Sequence, residues 1–301
     1  MKFRHESQHH QCATCLRHKA MIRALSGHSA ARAKQQKLFH EHLCHQYQDR
    51  LRYWSNRGES RQRGLSVCLI TDGMDQGKWS LPRSEYMRSK EFATFQRPRT
   101  HVSALIIHGW CQIYAVSDSN MPKDSNASVE LLAHGLTVLK QMGAPLHEMH
   151  IGVQSDNTCR EVKNSQCLRF LGALVSGRIV RSSSLSCLRS GHSHEDIDQC
   201  FGWLSKFSMR CRRLQTPGDV VDCIEAWLKQ AKLPEERRLV VRIEQTRDWP
   251  PGLKVRGREW YHCRQGFYSA AIPVALKGVA GPGAPHHFLL ERRSFTGQLQ
   301  S

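Results

Sequence analysis

Short apolar runs that end in polar turn residues constrain the fold of this chain most strongly. The first run, Leu65–Thr71, ends abruptly in Asp72-Gly73 and predicts a buried strand that closes in a turn. Two further strand-like runs, His101–Gly109 and Cys111–Ser119, are separated by Trp110 alone. They predict either a tight hairpin or one long bent strand.

Helices and further strands alternate after these runs. The first is a helix capped by Ser125-Asn126 and ended by Gly143, and a strand, Met149–Ser155, follows it and ends at Asp156-Asn157. Next come a helix closed by Gly177 and a strand, Arg178–Leu188. Two helices end the series, one through Phe201 and Phe207 and one begun by Thr216-Pro217. Strands paired by hairpin, followed by strands joined through helices, predict a mixed α/β sheet with flanking helices.

Composition divides the chain into three predicted parts. Residues 1–62 form a basic module rich in histidine and cysteine, and a polar stretch, Ser55–Gly64, predicts a linker behind it. Residues 63–232 hold the predicted α/β core. Residues 233–301 contain one strand-like run, Leu239–Gln245, among segments rich in glycine and proline, and predict a loose β and loop appendage.

The charge of the chain predicts a polyanionic partner. Lysine and arginine total 44 against 26 acidic residues, so the formal net charge is +18, and the pI is about 9.7. Nucleic acid is the commonest partner of such a chain, although a merely basic, solvated surface has the same composition. No run of 18 apolar residues and no secretory signal is present, which predicts a protein that is intracellular and not membrane-bound.

Three aspartates stand where ligands gather in α/β proteins. Asp72 ends the first predicted strand, Asp156 ends the fourth, and Asp198 opens the helix after the fifth. Adjacent carboxylates repel each other, and a divalent cation relieves that repulsion. Hard oxygen ligands select Mg²⁺ or Mn²⁺. Two such ions can stabilise the attacking and leaving oxygens of a phosphoryl transfer. Each aspartate equally suits a plain turn or helix cap.

Three sequence blocks carry a family resemblance. The segments Thr71–Arg83, Gln154–Asn164 and Ser190–Lys206, within a region from Lys2 to Lys206, resemble an uncharacterised family of transposon-associated domains. That family is similar to the catalytic cores of the ribonuclease H, integrase and transposase superfamily.

The resemblance implies a ribonuclease H-like fold, with a mixed five-stranded sheet, and a nuclease or strand transferase that acts on DNA. Its three acids map to Asp72, Asp156 and Asp198, which would bind Mg²⁺ or Mn²⁺. Further matches to the blocks are Asn157, Glu161, Lys163, Asn164, Gly191, His192 and Ser193. Nuclear residence and a homo-oligomer would accompany such an activity. The alternative is a domesticated, catalytically silent protein that binds nucleic acid.

The third block leaves alternatives open. Glu195 shares a helix face with Asp198 and is the second choice for the third acid. His192 suits a general acid or base, a phosphate contact or a loop hydrogen bond. A rival interpretation takes His192, His194 and Asp196 as ligands of a zinc-dependent hydrolase, but Ile197 stands where its next histidine belongs.

Cysteine spacing predicts a structural zinc ion in the N-terminal module. Cys12 and Cys15 have the spacing of two thiolate ligands, and His42 and His45 are the favoured partners. Other candidates are His40, Cys44, His5, His9, His10 and His28. The alternative is two surface cysteines beside a basic helix.

Basic and aromatic residues recur together behind the predicted zinc ligands. They are Arg50, Arg52, Tyr53, Trp54, Arg57, Arg61 and Arg63. The mixture suits contacts with a nucleic-acid backbone, and it equally suits a helix that packs its aromatic residues on a core. The predicted nucleic-acid contacts are Arg50, Arg52, Arg57, Lys163 and Lys206.

Overall fold

The structure, a computed structural model, describes residues 12–84, 90–92, 94–121, 123–156, 158, 160–188, 196–211, 213–230, 234, 237–243, 253–255, 258–261 and 287–291. The helices are α1 (Ala13–Ala24), α2 (Ser29–Arg61), α3 (Ser125–Gln141), α4 (Ser165–Ser176), α5 (Asp196–Ser208) and α6 (Pro217–Lys229). The strands are β1 (Ser66–Gly73), β2 (His101–Ile107), β3 (Cys111–Ser117), β4 (His150–Ser155), β5 (Ser182–Cys187), β6 (Arg238–Ile243), β7 (Leu253–Val255), β8 (Arg258–Tyr261) and β9 (His287–Glu291). No described helix is long and apolar enough to cross a membrane.

One mixed sheet contains all of the described strands. Their order is β7-β8-β6-β3-β2-β1-β4-β5-β9. Strand β2 is antiparallel to both β1 and β3, whereas β4 is parallel to β1 and to β5. The predicted mixed α/β architecture with flanking helices is therefore confirmed, and the hairpin is the correct alternative for β2 and β3.

The sheet is wider than the five predicted strands. Strand β6 pairs in parallel with β3, and β9 pairs antiparallel with β5, so both edges of the central five strands are extended. These strands come from residues that the sequence pattern assigned to a loose appendage. The sheet thus continues past the boundary predicted at residue 233, because β6 supplies an apolar run that covers the exposed edge of β3.

Helices cover both faces of the sheet. Alternate residues of β2 point to opposite faces, so Leu105 and Ile107 pack with α3 and α4, while Ala104 and Ile106 pack with α5 and α6. Tyr53 of α2 joins the second of these cores and is 1% exposed.

Side-chain caps begin three of the helices. Thr216 and Asp219 form a capping box at α6, with Pro217 in the first turn as predicted. The cap of α3 is Asp124, which accepts from two backbone N–H groups, and not the predicted Ser125-Asn126. Asn164 caps α4 by accepting from the N–H of Cys167 at 3.0 Å.

The predicted linker is helical. Helix α2 runs for 33 residues and ends only at Arg61, so most of the polar stretch 55–64 belongs to it. Tertiary contacts hold this end of the helix on the β2–β3 turn. Ser60 Oγ donates to the carbonyl of His108 at 2.6 Å, and the Tyr53 hydroxyl lies 2.9 Å from Nε2 of His108. A polar composition therefore did not indicate a flexible segment here.

Candidate functional site

The sheet places Asp72 beside Asp156. Thr71 pairs with Ser155 in the parallel register of β1 and β4, and the two aspartates are the next residues of their chains. Neighbouring strands are about 4.8 Å apart. Both carboxylates thus stand at the carboxyl edge of the sheet, as the sequence predicts if these strands are adjacent.

The surroundings of Asp72 disfavour its negative charge. Burial and the nearby carboxylates of Asp156 and Asp198 raise the pKa of Asp72 from 3.8 to about 7. The N–H of Gly73, which donates to Asp72 at 2.7 Å, and the charge of Lys123 act in the opposite direction but are too weak to offset this rise. Burial is thus the largest cause of the raised pKa of Asp72, and the carboxylates of the other two predicted acids add to it.

Lys123 is a member of this cleft that the sequence analysis missed. Its Nζ lies 3.0 Å from Oε1 of Glu161, a residue of the second block. It also lies over Gly73, where an added Cβ would be only 2.5 Å from Nζ, so a larger residue beside Asp72 would require the lysine side chain to shift. No motif surrounds Lys123, and only the folded loop before α3 brings it to the sheet.

The acid cleft, as we name it, is lined chiefly by Asp72, Asp156, His101, Lys123, Glu161 and Ser117. Its volume is about 30 Å³, which is room for about two water molecules or ions. Burial, and then the charge of Lys123, lowers the pKa of His101, whose Nδ1 lies 2.7 Å from Nε2 of Gln76. The cleft thus contains carboxylates, one ammonium group and an imidazole whose charged form is disfavoured.

Asp156 also has local partners. Its carboxylate accepts from the N–H of Thr158 at 3.1 Å and from the hydroxyl of the same residue. It therefore meets the description of a turn residue as well as that of a ligand. Asp198 lies in the first turn of α5 and is half-buried. His192 and Glu195, with Gly191, Ser193 and His194, lie outside the described residues, as does Asn157.

Helix α2 of the N-terminal module binds Asp196. Arg57 donates to its two carboxylate oxygens at 2.6 and 2.7 Å, and Nε2 of His108 lies 4.0 Å away. This pairing joins α2 to the start of α5. It occupies the carboxylate that the rival zinc hydrolase would need as a ligand, and so it argues against that interpretation.

We expect Arg57→Gln to destabilise the fold by about 2 kcal/mol. Breaking a fully buried ion pair costs more, but these side chains are 25% and 23% exposed, so solvent screens part of the loss. Urea unfolding would measure the change. The matched control is Arg52→Gln, an exposed site on the same helix, for which we expect less than about 0.5 kcal/mol. Equal effects of the two changes would contradict the structural role of Arg57.

Three of the four favoured zinc ligands in the N-terminal module lie close together, and the fourth does not join them. The ligand atoms of Cys12, Cys15 and His42 all lie within 4.8 Å of one another, and these residues are the only such group of three in the described part of the chain. Asp72, Asp156 and Asp198 therefore do not reach that spacing. His45 is exposed and outside the group.

Gln46 takes the position that His45 was predicted to fill. It lies one helical turn after His42, is 7% exposed, and its Nε2 contacts both Nε2 of His42 at 2.5 Å and Sγ of Cys15 at 3.8 Å. Burial raises the pKa of the Cys15 thiol, while the hydrogen bond from Gln46 acts in the opposite direction. The arrangement offers two sulfurs and one imidazole to a borderline-soft ion such as Zn²⁺.

The predicted nucleic-acid contacts are scattered. Arg52 and Lys206 are exposed and Arg50 is half-buried, and Arg50 and Arg52 lie on α2 whereas Lys206 lies on α5. Lys163 is 2% exposed, so its side chain lies in the interior of the protein and not on its surface. Its place between the acid cleft and the cap of α4 explains this burial, which sequence alone could not reveal.

Comparison with known proteins identifies a family for the chain. A family model described as a domain of unknown function, DUF7869, matches residues 90–250, which is more than half of the 301 residues. The chain belongs to this family, and the prediction of an uncharacterised domain family is confirmed. The match includes Asp156 and Asp198 but begins after Asp72 and the cysteine cluster. No curated protein and no solved structure matches the chain.

Proposed function

We propose that the protein is a metal-dependent nuclease of the transposase or integrase type, and that it acts on DNA at the acid cleft. The observation that carries this proposal is the register of β1 and β4, which sets Asp72 beside Asp156 at the carboxyl edge of the sheet, where burial and the neighbouring carboxylates raise the pKa of Asp72. A protein retains such unfavourable charge where it serves a function, and divalent cations relieve it. The order of the central strands, β3-β2-β1-β4-β5, also supports the ribonuclease H-like core that the resemblance implies.

The carboxylates at the cleft are of the type that a hard divalent cation prefers, although Asp72, Asp156 and Asp198 do not lie at ligand spacing of one another. Asp72 and Asp156 supply carboxylate oxygens from adjacent strands, and Asp198 or Glu195 would supply a third. Mg²⁺ or Mn²⁺ at this position would activate a water or a DNA 3′-hydroxyl and stabilise the charge of the phosphoryl transfer. Lys123 stands close enough to exchange its contact with Glu161 for one with a phosphate oxygen.

A second candidate function rests on the same lysine. Lys123 already supplies a cation to the cleft, and Thr158 already satisfies Asp156. A protein whose acids have found such partners could retain the fold and bind nucleic acid without cleaving it. Such a binding protein needs the basic surface and the N-terminal module but not the carboxylates of Asp72, Asp156 and Asp198.

Nicking of supercoiled DNA distinguishes the two functions. We expect the wild type to nick DNA with Mn²⁺ or Mg²⁺, and Asp156→Asn to be at least about 100-fold slower, because a lost ligand removes several kcal/mol of charge stabilisation. Asp222→Asn, an exposed change on α6, is the control and should match the wild type. Tight, salt-sensitive binding without nicking in any of the proteins would favour the silent binding protein.

We propose in addition that Cys12, Cys15 and His42 bind a structural Zn²⁺ ion. The ligand types and their spacing support this, and the ion would hold α1 against α2. A nuclease that acts on chromosomal DNA would reside in the nucleus and would work as a homo-oligomer, so both belong to the same proposal.

A further inference from the structure

We propose that a pocket around the β2–β3 turn binds a phosphate group of the nucleic-acid backbone. The hairpin pocket, as we name it, has a volume of about 500 Å³. Its lining includes Arg61, Arg63, His108, Gly109, Trp110 and Arg237. It lies at the end of β2 opposite to the acid cleft, and seven residues of strand separate the two sites by about 20 Å. The proposal uses the proposed function only to name nucleic acid as the source of the phosphate.

Two guanidinium groups meet at one neutral oxygen in this pocket. Nε of Arg63 donates to the carbonyl of Gly109 at 2.9 Å, and Arg237 donates to the same carbonyl. Like charges held this close repel each other, and a carbonyl does not neutralise them. An anion would, and guanidinium groups present paired N–H donors that match a phosphate.

The described lining of the pocket contains no carboxylate to balance these charges. Burial lowers the pKa of His108 to about 4, so its imidazole is neutral and adds no charge of either sign. Asp196 lies 4.0 Å from Arg61, but Arg57 already binds both of its oxygens. The pocket therefore has a net positive charge, of which Asp196, 4.0 Å from Arg61 and shared with Arg57, balances only part.

The backbone holds Arg63 in an unfavourable conformation. Its φ is 54°, a left-handed value that non-glycine residues seldom adopt, and its guanidinium lies over the ring of Trp110, 5.0 Å from the centroid. The indole Nε1 of Trp110 is buried and has no hydrogen-bond acceptor in the described part of the chain. A strained arginine fixed on an aromatic ring is preorganised for a ligand, since binding costs it little further ordering.

Helix α2 fixes the geometry of the turn. Gly109 has a φ of 81°, and an added Cβ would lie 2.7 Å from the carbonyl oxygen of Ser60 and 2.8 Å from Cα of Arg61. Only glycine allows the end of α2 to approach this closely. The same contact brings Arg61, the last residue of α2, and Arg63, two residues later, to the pocket wall.

Fluorescence anisotropy with a labelled DNA duplex, without added Mg²⁺ or Mn²⁺, tests the proposal. We expect Arg63→Gly and Arg237→Gln each to weaken binding at least about fivefold at 100 mM salt and to reduce the slope of log affinity against log salt by about 1. Arg210→Gln, an exposed change elsewhere, should alter affinity less than about twofold. Glycine tolerates the left-handed backbone at residue 63, so Arg63→Gly should stay folded, which a thermal melt would verify.

Calorimetry with inorganic phosphate separates the two sources of the anion. Weaker DNA binding by the pocket variants supports the proposal whether or not free phosphate binds. Free phosphate bound by the wild type, with DNA affinities equal to that of Arg210→Gln, would overturn it and leave a small-anion site. DNA affinities equal to the control without phosphate binding would also overturn it. Nicking is irrelevant to these outcomes, so a failure of the proposed nuclease would be recognised separately.

Discussion

Asp72→Asn is expected to stabilise the protein by about 4 kcal/mol at pH 8 in the absence of Mg²⁺ or Mn²⁺. The wild-type carboxyl has a pKa of about 7 in the folded protein and 3.8 as its ordinary value. Each unit of pKa difference corresponds to about 1.4 kcal/mol, so keeping this group ionised in the folded state costs about 4 kcal/mol. Asparagine has a similar shape and carries no charge.

The sign of the pH dependence follows from the direction of the shift. Because the folded pKa of Asp72 is the higher one, the folded state holds a proton between pH 4 and 7 that the unfolded state releases. The stability that this proton contributes is fully present below about pH 4 and is lost as the pH rises through about 7. The variant lacks this loss, so the two proteins should be similar near pH 4 and differ most above pH 7.

Urea unfolding at pH 5, 6, 7 and 8 measures this difference. Asp222→Asn is the control, because Asp222 is exposed on α6 and lies outside the acid cleft. Excess Mg²⁺ or Mn²⁺ should then raise the stability of the wild type at pH 8, by about 2.7 kcal/mol at a hundredfold excess over Kd, and leave the variant unchanged. An Asp72→Asn protein that is less stable than the wild type at pH 8 would show that the carboxylate has a structural role.

Cys15→Ser is expected to abolish zinc binding and to release α1 from α2. Cys15 is the only buried residue of α1, so this helix buries very little apolar surface against the rest of the protein. A metal ion bound by Cys12, Cys15 and His42 would hold α1 against α2 in place of apolar packing. Structural zinc in small modules supplies about 10–16 kcal/mol, so losing one thiolate should lower the affinity at least about 100-fold.

Zinc content per chain and hydrogen exchange in α1 would measure the two effects. Cys44→Ser is the matched control, because Cys44 is exposed on α2, lies outside the group of Cys12, Cys15 and His42, and has its Sγ 3.4 Å from Nε2 of His40. His45→Ala distinguishes the predicted ligand set from the one that the structure favours. Zinc retained in His45→Ala and lost in Cys15→Ser is the expected result, and retention in Cys15→Ser would contradict the site.

The sequence by itself determined the strands and helices of the core and the position of Asp72 and Asp156 at the ends of two strands. The apolar run that ends in Asp72 and the run that ends before Asp156 are local patterns, and each folded into the predicted strand. Thr216 and Pro217 likewise begin a helix through contacts within one turn. Such features depend on neighbours a few residues apart, so the pattern of side chains is sufficient to predict them.

Only the tertiary structure decided which residues complete each site. Lys123 enters the acid cleft because a loop folds over Gly73, and Gln46 replaces His45 because the rotation of α2 turns it toward Cys15. Helix α2 continues through a polar stretch because Ser60 binds the distant β2–β3 turn. These contacts join segments that are tens of residues apart, and their free energy comes from packing and pairing across the fold, which no local pattern records.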